Sequence, residues 1–228
     1  MGTILFLILG VALNELMVEK KVNREDLVVS TKLFMGTVEE NKYANCRFLS
    51  RKHIIEGLRA SLKRMNFTYV DIVFAHRPDT VTDLEETCRA FDWCVRKGLA
   101  TYWGTSDWTP QMIVEAYGNW WNKIILGICE RLNLAKPIVE QPCYNMLARD
   151  RFEWEYETLF SKFKMGSTVW SPLAQGVLTG KYNDNLMVEG GRLSTMGDSL
   201  PIRSLMKARF GSPEGTTFFD LLLAIENS

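Results

Sequence analysis

Tyr69-Val-Asp-Ile-Val-Phe-Ala-His-Arg-Pro-Asp79 decides the fold class. Val70, Ile72 and Phe74 alternate along it, and Val73 and Ala75 make the opposite face apolar as well. A short run that is apolar on both faces fits a strand inside a parallel sheet covered on both sides. Pro78 cannot donate to a ladder, so the strand stops before it and leaves His76 at the C-terminal edge. In α/β proteins that edge is where chemistry sits. The other of the two histidines, His53, falls in a helical pattern. A lone histidine is commonly a structural hydrogen-bonder, so a role for His76 rests on its surroundings.

Working outward, Asp26 to Phe34 reads as a strand ending at Lys32, and residues 35–49 as a polar loop. Ser50 caps a helix whose buried stripe is Ile54, Leu58, Ser61, Leu62 and Met65. Thr82-Asp-Leu-Glu85 has the pattern of a capping box, with Thr82 as cap, opening a helix that runs to Gly98. Leu99 to Ser106 is the next strand, and Thr109-Pro-Gln opens a helix with proline at its first position. Pro137 to Gln141 is a strand, residues 151–164 a helix and Ser167 to Pro172 a strand. Phe218 to Ile225 adds one more apolar element, a helix. Strands alternating with helices predict a parallel sheet with right-handed crossovers. A closed (β/α)₈ barrel takes ~250 residues and eight strands. Five strands before residue 173 therefore predict an incomplete (β/α)₈ TIM barrel, lacking early and late strands, as a single domain over 1–228.

Lys+Arg and Asp+Glu are both 27, so no net field argues for a nucleic-acid partner. Five cysteines, at 46, 88, 94, 129 and 143, have neither CxxC nor metal spacing, and read as buried thiols in a reducing compartment. Cys88 and Cys94 fall on different faces of one helix. Ile4 to Leu13 is apolar except for Gly10, but a bilayer span needs ~20 residues. No basic residue precedes it, as a signal peptide would require. The expectation is a cytoplasmic protein without direct membrane insertion.

Six blocks, in order, carry a family resemblance. They are Thr31-Lys32, Ser50-Arg-Lys-His-Ile-Ile-Glu-Gly57, the stretch from Tyr69 to Asp79, Tyr102-Trp-Gly-Thr-Ser106, Ile138-Val-Glu-Gln141, and Trp170-Ser-Pro-Leu-Ala-Gln-Gly-Val-Leu-Thr-Gly-Lys-Tyr182. Together, over about residues 10–195, they resemble the aldo-keto reductase superfamily. Within it they are similar to the β subunits of voltage-gated potassium channels and their plant, fungal and protist relatives. The resemblance implies an NADP-dependent oxidoreductase: a barrel that binds NADPH at its C-terminal face and reduces an aldehyde or ketone. It implies a small carbonyl substrate, with a homo-oligomer or a membrane channel as partner.

Of the family's four catalytic side chains (Asp, Tyr, Lys, and His or Asn), Lys32 and His76 match the last two. Ser106 and Gln141 match residues that hold the cofactor's carboxamide, and Trp170 the aromatic that stacks on the nicotinamide. Ser171, Pro172, Leu173, Gln175 and Gly176 match the loop around the pyrophosphate, where small residues and amides suit phosphate. Lys181 and Arg192 match cationic contacts to the phosphates. Singly, each residue also fits a plain structural part, such as a core tryptophan or a solvated lysine.

The family's Asp and Tyr belong to an earlier strand, upstream of the matched blocks, and Tyr43 and Tyr102 fall on the wrong elements. The late strand and helix that bind the adenosine 2′-phosphate have no counterpart before Ser228. Asn119-Trp-Trp-Asn-Lys-Ile-Ile-Leu-Gly127 is an insertion, expected to reflect a splice form or gene model. Three functions stand at this point: an NADPH-dependent reductase weakened by the missing Asp and Tyr, a cofactor-sensing channel subunit, and a non-functional fragment. Histidine at position 76 favours the enzyme, since channel-type members often carry Asn there. With His76 at its ordinary ~6.5, it would stand in only partly for the missing acid, and turnover would be slow.

Overall fold

The computed structural model describes residues 2–36, 44–117, 127–182 and 189–191. Tyr43, Arg192, the apolar segment 218–225 and residues 119–126 of the insertion lie outside the described residues. Contacts divide the chain into two compact units, Met1–Pro142 with Arg151–Thr168, and Cys143–Asp150 with Val169–Ser228.

The first unit holds the sheet. In chain order its elements are α1 (Gly2–Val18), β1 (Ser30–Leu33), α2 (Arg51–Met65), β2 (Val70–Ala75), α3 (Leu84–Arg96), β3 (Ala100–Thr105), α4 (Pro110–Tyr117), α5 (Ile128–Arg131), β4 (Val139–Glu140), α6 (Glu157–Ser161) and β5 (Gly166–Ser167). Among the described residues all four strand pairings are parallel, and spatial order is chain order, β1-β2-β3-β4-β5. Parallel neighbours in sequence order, each joined through helix, are the build of an incomplete (β/α)₈ barrel.

The doubly apolar β2 does sit inside the sheet, between β1 and β3. Val73, Ala75 and Trp103 pack in the core shared with the helices, where Phe91 stacks on Trp103 with ring centroids 4.9 Å apart. Phe74 lies outside that core cluster and, with Gly104 and Val139, builds the opposite face. A Cβ on Gly104 would meet the Val139 side chain at 2.5 Å and Phe74 at 3.1 Å, so only glycine lets these strands close. Ser50 caps α2 by accepting from the His53 amide, and the buried stripe of α2 is the five residues that periodicity picked out. Asn14 Nδ2 donates to the Met65 carbonyl at 3.0 Å and ties α1 to the end of α2. At the N-terminal edge Arg24 bonds Asp71 at 2.8 Å beneath the Tyr69 ring, and Asp71 also accepts from the Val29 amide.

Several boundaries differ from expectation. The first strand begins at Ser30, because Asn23 and Asp26 bond each other and hold Arg24–Asp26 as a helical turn; it runs through Lys32 to Leu33. The cap of α3 is Asp83, whose carboxylate accepts from Glu85 and Glu86. Thr82 is instead part of the preceding turn: with Leu49 and Val81, its amide donates to Asp79. Residues 151–164 form a wide helical turn, Arg151–Glu155, and then α6. The last strand pairs only over Gly166–Ser167; beyond it Ser171 takes φ +58° and Pro172 has no amide to give. Residues 44–46, expected as loop, make a helical turn, and Leu49 is fully buried. Cys88 and Cys94, though on different faces by spacing, are both buried. None of the five cysteines forms a disulfide, and no helix among the described residues is long and apolar enough to cross a membrane.

Candidate active site

The C-terminal edge of the sheet repeats one bond. The first residue after each strand donates its amide to the last carbonyl of the strand before: His76 to Leu33 at 3.0 Å, Ser106 to Ala75 at 3.0 Å, Gln141 to Thr105 at 2.8 Å. Parallel register thus carries three sequence-predicted site residues to neighbouring positions on one edge. Lys32 joins them from β1, in register with Phe74, its ammonium 5.9 Å from that ring.

Lys32 Nζ donates to Ser106 Oγ at 3.1 Å, and Ser106 Oγ donates to the Gln141 carbonyl at 2.8 Å. The Gln141 carboxamide donates to Thr168 Oγ1 at 2.8 Å. Ser106 is fully buried, while Lys32, His76 and Gln141 are half-buried. Burial pulls Lys32 below the ordinary lysine value; Asp107 and Glu140 oppose this and Arg77 adds to it. His76 is pushed down to about 4, first by burial and then by the Lys32 and Arg77 charges. This corrects the expectation of an imidazole titrating near its ordinary value: at neutral pH His76 is an uncharged ring with one N–H to offer.

Sequence reading missed the carboxylates beneath this row. Asp107, at φ +56°, pairs with Arg77 and lies 3.8 Å from Arg151. Glu140, wholly buried, bonds Thr105 and is raised to about 7, chiefly by burial. One signal was available: an acid inside the apolar run Pro137 to Gln141, where an unpartnered charge is costly.

In the second unit, Cys143 and Trp170 pair as an isolated parallel bridge, and Asn145 Nδ2 donates to the Ser171 carbonyl at 2.9 Å. Trp170 and Ser171 are half-buried; Pro172 and Leu173 are exposed. Ala174, Gln175 and Gly176 all take left-handed backbone, with φ +46°, +62° and +98°. Such a run curls the chain into a concavity of the kind that cradles anions. Over it lies Lys181: a Cβ on Gly176 would meet its Cε at 2.7 Å and its Nζ at 3.0 Å. Gln175 Oε1 is buried with no hydrogen-bond donor among the described residues. A curled loop, a lysine across it and an orphan acceptor fit a phosphate-bearing ligand with hydroxyls.

Residues 8–198 match the family model described as Aldo/keto reductase family. A voltage-gated potassium channel subunit beta of Oryza sativa subsp. japonica, so named as probable, is 52% identical over 159 residues, 70% of this chain and 44% of its own length. One of Arabidopsis thaliana, named in the same way, is 46% identical over 187 residues, 82% of this chain and 52% of its own. A protein of Schizosaccharomyces pombe described as a voltage-gated potassium channel subunit beta is 44% identical over 198 residues, 87% of this chain and 52% of its own. The chain spans about half the length of the curated relatives it matches. Parallel strands in chain order, a lysine and a histidine at their C-terminal edge, and a family match over most of the sequence lead to one assignment: the chain belongs to the aldo/keto reductase family.

Proposed function

We propose that this protein is a cytoplasmic, NADPH-dependent reductase of a small aldehyde or ketone, its residues 1–228 forming one partial aldo-keto reductase domain. The observation that supports this most is the Lys32–Ser106 bond beside His76 at the sheet's C-terminal edge. Ser106 and Gln141 would hold the carboxamide, Trp170 the ring, Ser171–Gly176 and Lys181 the phosphates, with Arg192 as a further cation. Bound NADPH supplies hydride. This chain's part is to meet the negative charge that grows on the carbonyl oxygen. The Lys32 ammonium and the neutral His76 N–H are donors of the right kind for an oxyanion. Burial lowers the Lys32 pKa, the direction that makes an ammonium a better acid, so Lys32 delivers the proton and His76 orients the carbonyl.

A second reading, a channel-associated subunit that binds NADPH, is favoured by the names of the three relatives. Quenching of tryptophan fluorescence by NADPH, followed by NADPH oxidation with a reactive aldehyde, tests both. Binding with turnover supports the reductase, binding without turnover the second reading, and no binding overturns both.

A further inference from the structure

Glu140 is buried in the sheet–helix layer, directly behind Ser106 and Gln141. Its Oε2 accepts from Thr105 Oγ1, its register partner on β3, and the Asp107 amide donates to the same carboxyl. The Tyr156 hydroxyl has one proton, which it gives to the Trp108 carbonyl at 2.5 Å, an atom that can only accept. Glu140 Oε1 lies 3.3 Å from that same hydroxyl oxygen. With the hydroxyl proton committed to the shorter bond, a proton on Glu140 would complete the longer one, in keeping with the burial that raises this carboxyl to about 7. Thr105 and Asp107, tied to Glu140 directly, and Trp108, tied to it through Tyr156, flank Ser106 on both sides.

We propose that Glu140 is a positioning residue: as a neutral three-way hydrogen-bonding node behind the sheet, it fixes the 105–108 turn and through it the Ser106 hydroxyl shared by Lys32 and Gln141. This rests on the reading of Ser106 and Gln141 as cofactor contacts. The charged and titratable groups around the node are Asp107 and Arg77 on the loops after β3 and β2, Arg151 and Tyr156 from the helical segment before α6, and Lys32 from β1. Asp107 discourages a second negative charge beside it, while Lys32 and Arg151 are already engaged with Ser106 and Asp107. Above neutrality the carboxyl loses its proton and with it the bond to Tyr156, so the turn loosens as pH rises.

The test uses the whole chain, wild type beside Glu140→Gln and Tyr156→Phe. Amide exchange of residues 105–108, corrected for the intrinsic pH dependence, is followed from pH 6 to 8 without nucleotide. NADH and NADPH binding are followed over the same range by tryptophan fluorescence. In the wild type, exchange should rise and both affinities fall by about threefold to tenfold across pH 7, the loss of one neutral hydrogen bond. Glu140→Gln keeps a donor for Tyr156 and an acceptor for Thr105, so it should hold the low-pH values throughout. Tyr156→Phe removes the acceptor for the carboxyl proton and should move the step to lower pH. Including NADH separates this step from titration of the 2′-phosphate. Superimposable exchange profiles for wild type and Glu140→Gln overturn the proposal. A step in exchange, with neither nucleotide bound at any pH, upholds the node and overturns the cofactor reading instead.

Discussion

Lys32 Nζ and Ser106 Oγ lie 3.1 Å apart, joining residues 74 positions distant in sequence and spanning from the first strand to the end of the third. The hydroxyl is occupied on both sides, accepting from Lys32 and donating to the Gln141 carbonyl. A carboxamide N–H would share the hydroxyl with Lys32 through its second lone pair, whereas a carboxamide oxygen would have to displace the Gln141 carbonyl, so cofactor contact and the placement of Lys32 meet on one atom.

The Lys32 charge is the second cause, after burial, of the low His76 pKa. Replacing Lys32 with Met should raise the His76 midpoint from about 4 without restoring the ordinary value. Titration of the imidazole by NMR in wild type and variant checks this; a wild-type midpoint near 6.5 would contradict the site described here.

Because His76 is neutral at working pH, any turnover that depends on it should be flat between pH 6 and 8 in that dependence. His76→Ala should lower NADPH oxidation with a reactive aldehyde by ~10²–10³-fold, the usual loss for one oxyanion donor. An equal rate for the variant would remove His76 from the chemistry.

Glu140 should govern part of the pH dependence of stability. Its folded pKa, raised from 4.5 to about 7, means that its contribution is fully present below 4.5 and is lost as pH rises through 7. Once ionised, it costs the fold about 3 kcal/mol. His76 acts in the opposite sense: its lowered pKa gives stability that is present above 6.5 and lost as pH falls towards 4. The two slopes oppose each other between these limits, so the difference between wild type and Glu140→Gln in denaturant melts isolates the carboxyl. That difference should open between pH 4.5 and about 7 and stay constant above it.

Gly176 sits at φ +98° with Lys181 against its missing side chain. Gly176→Ala should therefore strain the loop, push the lysine aside and weaken NADPH binding by about tenfold or more, with little effect on the first unit's melt. Isothermal titration against wild type reads the loss directly.

Strand order and helix stripes were legible because they are local: alternation in residues 70–75 and the 3.6-residue period of residues 54–65 need no distant partner. What could not be read depended on bonds across the chain. Thr82 lost its capping role to Asp83 because its amide is claimed by Asp79. Asp83→Ala should accordingly cost about 1 kcal/mol in chemical denaturation and Thr82→Ala much less. The histidine's low pKa needed Lys32, 44 positions earlier, and the Glu140 node needed Tyr156 and Asp107. The five-residue run at 137–141 pairs over only two residues, Val139–Glu140, since Pro137 has no amide and Gln141 has turned to the edge.

The order β1-β2-β3-β4-β5 also sets how this sheet can be made. Each strand after the first pairs with the one synthesised just before it, so each pairing closes a loop of chain through the helix or helices between them. A ribosome extruding the polypeptide delivers the described strands in the sequence in which the sheet grows, and each from β2 onward finds a neighbour already made. The Phe91–Trp103 stack lies wholly within α3 and β3, so both of its rings are synthesised before β4. The row of site residues is then laid down from one end, Lys32 first and Gln141 last, with Ser106 reaching Lys32 only when the third strand is in place.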